Sequence, residues 1–283
     1  MIKVLKAGFY STIQDLGRIG VQQLGVPYSG VMDRKAAGFA NALVGNNSHE
    51  AVLEMTMMGA LLEFKASTYI AISGANMSAK LNEKPIENNK VFPVEQGDLL
   101  SFGKLLQGFR CYLAVSGGFK TETVMSSKSM YPNITKANKL FKNDEIDIEP
   151  VSDLKDVKHA KIRFDDSYLS SNTLEVYEGP EFEYLSENQR DVLLSTLFCI
   201  SNDNSRMGYQ LVETVQNNLK PIITGPVMPG TVQLTPSGKL IILMRDCQTT
   251  GGYPRVFQLS DNSINMLSQK YAGQNVSFKL KAL

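Results

Sequence analysis

Short apolar, β-branched runs recur along almost the whole of this chain, and each is cut off by a glycine or a cluster of small polar residues. Ala60–Phe64, Tyr69–Ser73, Leu99–Phe102, Cys111–Val115, Ile146–Ile148, Leu174–Tyr177, Thr231–Leu234 and Val276–Leu280 all read as strands. So many strands with so few helices expose sheet edges, which are templates for aggregation unless the sheets close on themselves. The pattern therefore predicts a mainly β protein with closed, barrel-type architecture and a few short helices.

Three segments carry helical periodicity. Asp33 is placed to cap a helix whose Ala36, Phe39, Ala40, Leu43 and Val44 form one apolar stripe, with Gly45 as its C′ residue. Ser186-Glu187-Asn188-Gln189 has capping-box spacing ahead of Val192, Leu193, Thr196 and Leu197. Asp261 opens a third pattern through Ile264, Leu267, Ser268 and Tyr271. The charged, serine-rich stretch from Pro150 to Asn172 lacks periodicity and reads as a linker. It divides the chain into an N-terminal β unit (1–150), a linker (151–172) and a C-terminal β unit (173–283). Gln96–Phe102, Asn143–Ile148 and Ala272–Phe278 each place a polar turn before an alternating strand, an echo compatible with two related barrel-like units.

Composition narrows the function. A net charge of +1 without a dense Lys/Arg run lacks the electrostatic footprint of a nucleic-acid binder. No run of about 18 apolar residues suits a membrane span, and Met1–Lys6 alternates like a strand rather than opening a signal peptide, so a cytoplasmic protein is expected. Cys111, Cys199 and Cys247 are odd in number and far apart, which argues against a disulfide framework. With only His49 and His159, no Cys/His metal cluster forms at a usual spacing. No metal ligands are assigned, and metal dependence stays open.

The densest chemistry follows Leu240–Leu243: Met244-Arg245-Asp246-Cys247-Gln248-Thr249-Thr250-Gly251-Gly252-Tyr253-Pro254. A plain turn needs fewer polar residues than this, and two adjacent glycines let a ligand approach the backbone closely. Near the N-terminus, Thr12–Arg18 and Gly25–Asp33 bring two polar loops before the first helix. Asp15 and Arg18 read equally as a local ion pair or as site residues. Ser29, Gly30 and Asp33 place a hydroxyl, amides and a carboxylate at a helix N-terminus, which suits an anionic or strongly polar ligand. Glu54 is a lone carboxylate in an apolar run, to be paired or neutral if buried, and reads as the structural partner of an arginine or as a catalyst. Arg206 lies in a small loop, either holding an anion or marking a surface turn. Gly117-Gly118-Phe119-Lys120-Thr121 lacks Walker spacing, and Met55, Met57 and Met58 read as core filler. Neither histidine has a triad-like context, so Ser–His catalysis is not expected.

Taken together, Thr12–Arg18, Gly25–Asp33, Asn41–Gly45, Leu53–Thr56, Tyr112–Gly118, Glu178–Glu181, Arg206–Gly208, Pro229–Gln233 and Gln248–Pro254 resemble the family of the 5-oxoprolinase C component, also described as allophanate hydrolase subunit 2 or biotin-dependent carboxyltransferase-like. The segments run in family order over nearly the whole chain. Ser126-Ser127-Lys128-Ser129-Met130 stands where the family usually has Gly-Ser-Arg-Ser-Thr. Ala137–Asp144 likewise replaces its Gly-Arg-x-Leu-x-x-Gly-Asp. The resemblance implies a cyclophilin-like fold of two β-barrel-type units in a cytosolic complex with 5-oxoprolinase subunits A and B, which opens 5-oxo-L-proline to L-glutamate with ATP. The complex would bind the ATP, with the subunit left open. On that resemblance, Arg206 would meet the phosphoryl group and Asp33 or Asp246 would direct water. Gln14, Gln233, Gln248, Thr249 and the Gly251–Gly252 backbone would grip the cyclic amide, flanked by Ser29, Gly30, Glu54, Thr250 and Tyr253. Two rival functions go with the same family: a carboxyltransferase moving CO2 from carboxybiotin to a urea-like amide, and a non-enzymatic regulator that sequesters a partner protein.

Overall fold

The computed structural model describes residues 1–151 and 164–281. They form two units, one of Met1–Arg18 with Ser29–Ser170 and the other of Ile19–Tyr28 with Ser171–Leu283. The expected mainly β class is what the structure shows. The unit boundary falls differently from the sequence division: Ile19–Tyr28 groups with the second unit, and residues 164–170 with the first. Residues 152–163 of the expected linker lie outside the described residues.

In the first unit, two sheets face each other across one core. The six-stranded sheet runs Glu145–Ile146, Ile2–Lys6, Leu61–Phe64, Leu99–Ser101, Lys80–Leu81 and Lys84–Pro85. The five-stranded sheet runs Tyr10–Gln14, Val52–Thr56, Gln107–Val115, Thr68–Asn76 and Val91–Val94. Alternation turns Ile2, Val4, Leu62 and Phe64 of one sheet, and Leu53, Met55, Ile72 and Leu113 of the other, into the shared core. Helix α1 (Arg34–Leu43) covers the opposite face of the five-stranded sheet, where Ala36, Ala37 and Ala40 pack on Val52, Tyr112 and Ala114. Its caps are the expected ones: Asp33 accepts the Ala36 N–H, and Gly45 takes a φ of 76° at C′.

The second unit is a closed barrel of seven strands: Thr173–Glu178, Arg255–Leu259, Thr231–Leu234, Lys239–Leu243, Gly208–Thr214, Phe198–Asn204 and Asn275–Leu280. Closure comes from the parallel pairing of the first of these strands with the last. Inside, Phe182, Phe257, Phe278 and Phe198 form a chain of tilted rings with centroids 5.3–5.5 Å apart. Helix α2 (Glu187–Ser195) begins with the expected capping box between Ser186 and Gln189. Helix α3 (Asp261–Ser268) is capped by Ser260, one residue before the aspartate that signalled it.

Two expectations need correction. Of the methionine cluster only Met55 is buried, while Met57 and Met58 are half exposed on the turn that follows their strand. Asp15 and Arg18 are not confined to a local role, because both reach the loop at 127–129. The Asp15 carboxylate accepts the Ser127 and Ser129 hydroxyls (2.6 Å each), the Lys128 N–H (2.6 Å) and the Gly17 N–H (2.8 Å). Arg18 Nη2 donates to the Ser129 carbonyl at 2.6 Å. Removing this acceptor strands several buried donors, each costing about 1–3 kcal/mol. Asp15→Ala is therefore expected to lower unfolding free energy by about 3 kcal/mol in urea titrations, and a change below about 0.5 kcal/mol would refute the anchoring role.

Candidate functional site

The predicted site residues fall into two groups, one in each unit. In the first unit, cross-strand register places Thr12, Glu54, Tyr112 and Ser73 in one row of the five-stranded sheet, all buried. This polar row shares the face that α1 covers, because Tyr112 packs with the helix alanines. Glu54 accepts the Met32 N–H at 2.8 Å and lies 3.8 Å from Arg110 Nε, so the expected arginine partner exists. Tyr112 Oη accepts the Asp33 N–H at 2.8 Å. Both Asp33 oxygens are engaged, Oδ1 by the Ala36 N–H (3.0 Å) and Oδ2 by the Tyr168 hydroxyl (2.6 Å). Asp33 thus acts as a helix cap that is also held by the Tyr168 hydroxyl. Burial first, then the Glu54 and Asp33 carboxylates, push the Tyr112 hydroxyl well above the usual tyrosine range. Tyr168 is pushed up in the same way by burial and Asp33. Both phenols therefore stay protonated, Tyr168 as the donor to Asp33.

Gln14 is likewise committed, its Nε2 donating to Thr12 Oγ1 and the Met130 carbonyl at 3.1 Å each. Ser29 differs. Its backbone is left-handed (φ 56°), it is buried, and its hydroxyl has no hydrogen-bond partner among the described residues. Gly30 follows with a φ of 88°, and a Cβ there would lie 2.7 Å from the Gly17 nitrogen. Only glycine fits that approach.

In the second unit, a cleft of about 310 Å³ opens on the outer side of the barrel. It gathers Gln233, Gln248, Gly251, Gly252 and Tyr253, five of the expected substrate-binding residues, with Gln210 adding a third side-chain amide. Val232 and Leu234 point into the barrel, so Gln233 between them faces outward. The pairing register shifts between Val232 and Gln233, a bulge that sets the aim of the glutamine. Gln233 is nonetheless buried, because the 250–253 loop lies over it. A Cβ on Gly251 would come within 2.4 Å of Gln233 Nε2, so a side chain here would push the amide aside. Gly225–Pro226 pairs with Thr250–Gly251, and Val227 donates to the Thr249 carbonyl, so a short strap holds the loop from outside. Thr249 and Thr250 belong to this strapped loop without lining the cleft.

Arg206 and Asp246 meet each other rather than the cleft. Arg206 Nε donates to Asp246 Oδ2 at 2.8 Å and Nη2 to Oδ1 at 3.0 Å, with both side chains buried. A second bidentate pair joins Arg255 to Glu181, at 2.9 Å through Nε and 2.7 Å through Nη2, while Nη1 donates to the Pro226 carbonyl. The Arg255 hydrogen bonds hold the Glu181 carboxyl below its usual range. Glu181 thus tethers the strap through Arg255. Sequence reasoning missed Arg110, Tyr112 and Tyr168 in the first unit and Arg255 and the 222–227 strap in the second. Cross-strand register would have shown Tyr112 opposite Glu54, but Tyr168 sits in the aperiodic stretch and gave no signal. Among the described residues, no three His, Cys, Asp or Glu side chains gather where they could share a metal ion. No helix of these residues is long and apolar enough to cross a membrane.

Two stability outcomes follow from this geometry. Arg206→Ala leaves the Asp246 carboxylate buried and without its guanidinium, which should cost about 3–5 kcal/mol in chemical denaturation. Equal stability to the parent chain would show the pair to be dispensable and free for chemistry. Ser29→Gly relieves a left-handed serine and an unsatisfied hydroxyl, and should raise stability by about 1 kcal/mol. A loss of stability would instead show that the hydroxyl is bonded in the folded chain.

Known proteins share this architecture. Residues 24–280 match the model of the family described as carboxyltransferase domain, subdomain A and B. The chain is 30% identical to the C component of 5-oxoprolinase from Escherichia coli (strain K12) over 285 residues, covering 98% of this chain and 90% of that protein. Its fold superposes on the crystal structure of TTHA0988 with a TM-score of 0.87 at 25% identity, covering 98% of this chain and 55% of that one. For the K. lactis urea amidolyase structure the TM-score is 0.88 at 26% identity, over 98% of this chain and 18% of the larger protein. The chain thus spans about half the length of the first of these structures and less of the second. With nine-tenths of its length matched by one family model, it belongs to the carboxyltransferase domain, subdomain A and B, family.

Proposed function

We propose that this chain is one subunit of an ATP-dependent complex that hydrolyses the cyclic amide of 5-oxo-L-proline to L-glutamate, with the cleft of the second unit holding the amide. The observation that carries this is the convergence of three side-chain amides and two glycines on one cleft. Carboxamides match the donor and acceptor pattern of a lactam, and the two glycines let it approach the loop closely. The relationship to the C component of 5-oxoprolinase over nearly its full length supports the reaction class.

A lactam resists water because its nitrogen donates into the carbonyl. Transfer of a phosphoryl group to the amide oxygen would create a leaving group and an electrophilic carbon, and that step needs cations. The described residues lining the cleft include neither lysine nor arginine, and Arg206 is committed to Asp246. A triphosphate does not fit such a lining. On this reading the nucleotide is held outside this cleft, and the cleft's part is to bind and orient the amide while excluding water from it. The complex would be cytoplasmic, and the chain inactive alone.

A second reading has its own support. An amide-lined cleft without a cation, on a carboxyltransferase family member, also suits transfer of CO2 from carboxybiotin to a urea-like amide. Reconstitution separates the two. The chain is mixed with candidate A and B subunits, and glutamate and ADP release from 5-oxo-L-proline is followed. Gln233→Ala in that complex should lower kcat/KM about tenfold, the loss expected for a hydrogen bond to a neutral group plus its positioning. No turnover by a complex shown to assemble would defeat the oxoprolinase reading. Carboxylation of urea by the chain with biotin-carrying partners would establish the alternative.

A further inference from the structure

The charge of the amide cleft is unbalanced in a way that bears on its ligand. Among the described residues, Asp203 is the one charged side chain that lines it, and it is exposed. Arg206 stands between two lining residues, Ser205 and Met207, yet its guanidinium is cancelled by Asp246 in a buried bidentate pair. Arg255 approaches the strap beside Gly225, but its guanidinium is cancelled in the same manner by Glu181. What remains for a ligand is neutral: the carboxamides of Gln210, Gln233 and Gln248, a serine hydroxyl and glycine backbone. A carboxylate entering here would give up hydration without gaining a cation, which is costly, and would also meet the field of Asp203.

We infer that the cleft accepts an uncharged amide and excludes a carboxylate, so that an acidic lactam enters amide-first and its carboxylate is met by a cation from outside this cleft. The inference rests on the cleft being the amide site proposed above, and it goes further by stating which end of the substrate this chain reads. It also implies division of the substrate between subunits, because a cyclic amide bearing a carboxylate needs a cationic partner that the cleft lining does not offer.

The isotope-labelled chain, without partners, is titrated with 2-pyrrolidinone and separately with 5-oxo-L-proline. These share the lactam ring and differ in the carboxylate. Backbone amide shifts of Gly251 and Gly252 report occupancy of the cleft. We expect 2-pyrrolidinone to bind about fivefold more tightly or better, the effect of one unfavourable charge at a wet rim plus an unpaired carboxylate. Asp203→Lys should raise the affinity for 5-oxo-L-proline relative to that for 2-pyrrolidinone, bringing the two level. Equal or tighter binding of the acid by the parent chain overturns the charge selection and leaves the cleft standing as an amide site. Absence of shifts at both glycines with either compound overturns the amide site and the selection together.

Discussion

Parallel pairing of Thr173–Glu178 with Asn275–Leu280 closes the barrel of the second unit, and the geometry of its cleft depends on that closure. Once the barrel is shut, every strand has an inner and an outer face. Val232 and Leu234 are drawn inward by hydrophobic burial, which leaves Gln233 no choice but the outer face. A polar side chain on the outside of a barrel would normally be exposed. Here the loop after Lys239–Leu243 folds back over it, and at Gly251 it comes so close that a side chain would displace the amide. The cleft is therefore a product of closure, one bulge and one glycine rather than of a dedicated domain.

Electrostatics then decides what the cleft can hold. Two arginines lie near the loop and its strap, and either could have made an anion site. Each is instead matched to a carboxylate with fork-to-fork geometry, Arg206 to Asp246 and Arg255 to Glu181. Such pairs gain little net stability over apolar packing when buried, but breaking one is expensive. Their effect is to lock backbone: Asp246 also donates its N–H to the Arg206 carbonyl, and Arg255 also bonds Pro226. Rigid walls with their charges cancelled suit a ligand recognised by hydrogen-bond pattern rather than by charge.

Much of this was legible in the sequence because it rests on local signals. The caps Asp33, Gly45 and Ser186, the alternating strands and the glycine-rich loop after Leu243 are all short-range patterns, and their elements formed where those patterns lie. Five residues of the predicted grip, from Gln233 to Tyr253, share one cleft. What could not be read were pairings between distant segments. Nothing near Arg206 points to Asp246, forty positions on, and nothing near Asp15 points to Ser127 and Ser129. Met57 and Met58 misled for the same reason: composition makes them core-like, but strand phase and a turn put them outside.

Hydrogen bonding within the fold distinguishes the polar candidates from one another. Asp33, Gln14 and Asp246 carry groups suited to catalysis, yet bonds within the fold already occupy them. A group so engaged is held in one orientation by the fold, and moving it to serve a ligand costs those bonds. Gln233 has a single long contact, to the Tyr253 carbonyl at 3.5 Å, and Gln248 is exposed at the cleft edge. Ser29 retains a buried hydroxyl without a partner among the described residues and holds a left-handed backbone to keep it there. Strain and unmet hydrogen-bonding capacity are both costs to folding, and they concentrate where a fold serves something other than its own stability. By that criterion the carboxylates of Asp33 and Asp246 are tied into the fold, while the Ser29 hydroxyl in the first unit and the Gln233 and Gln248 amides in the second are less engaged.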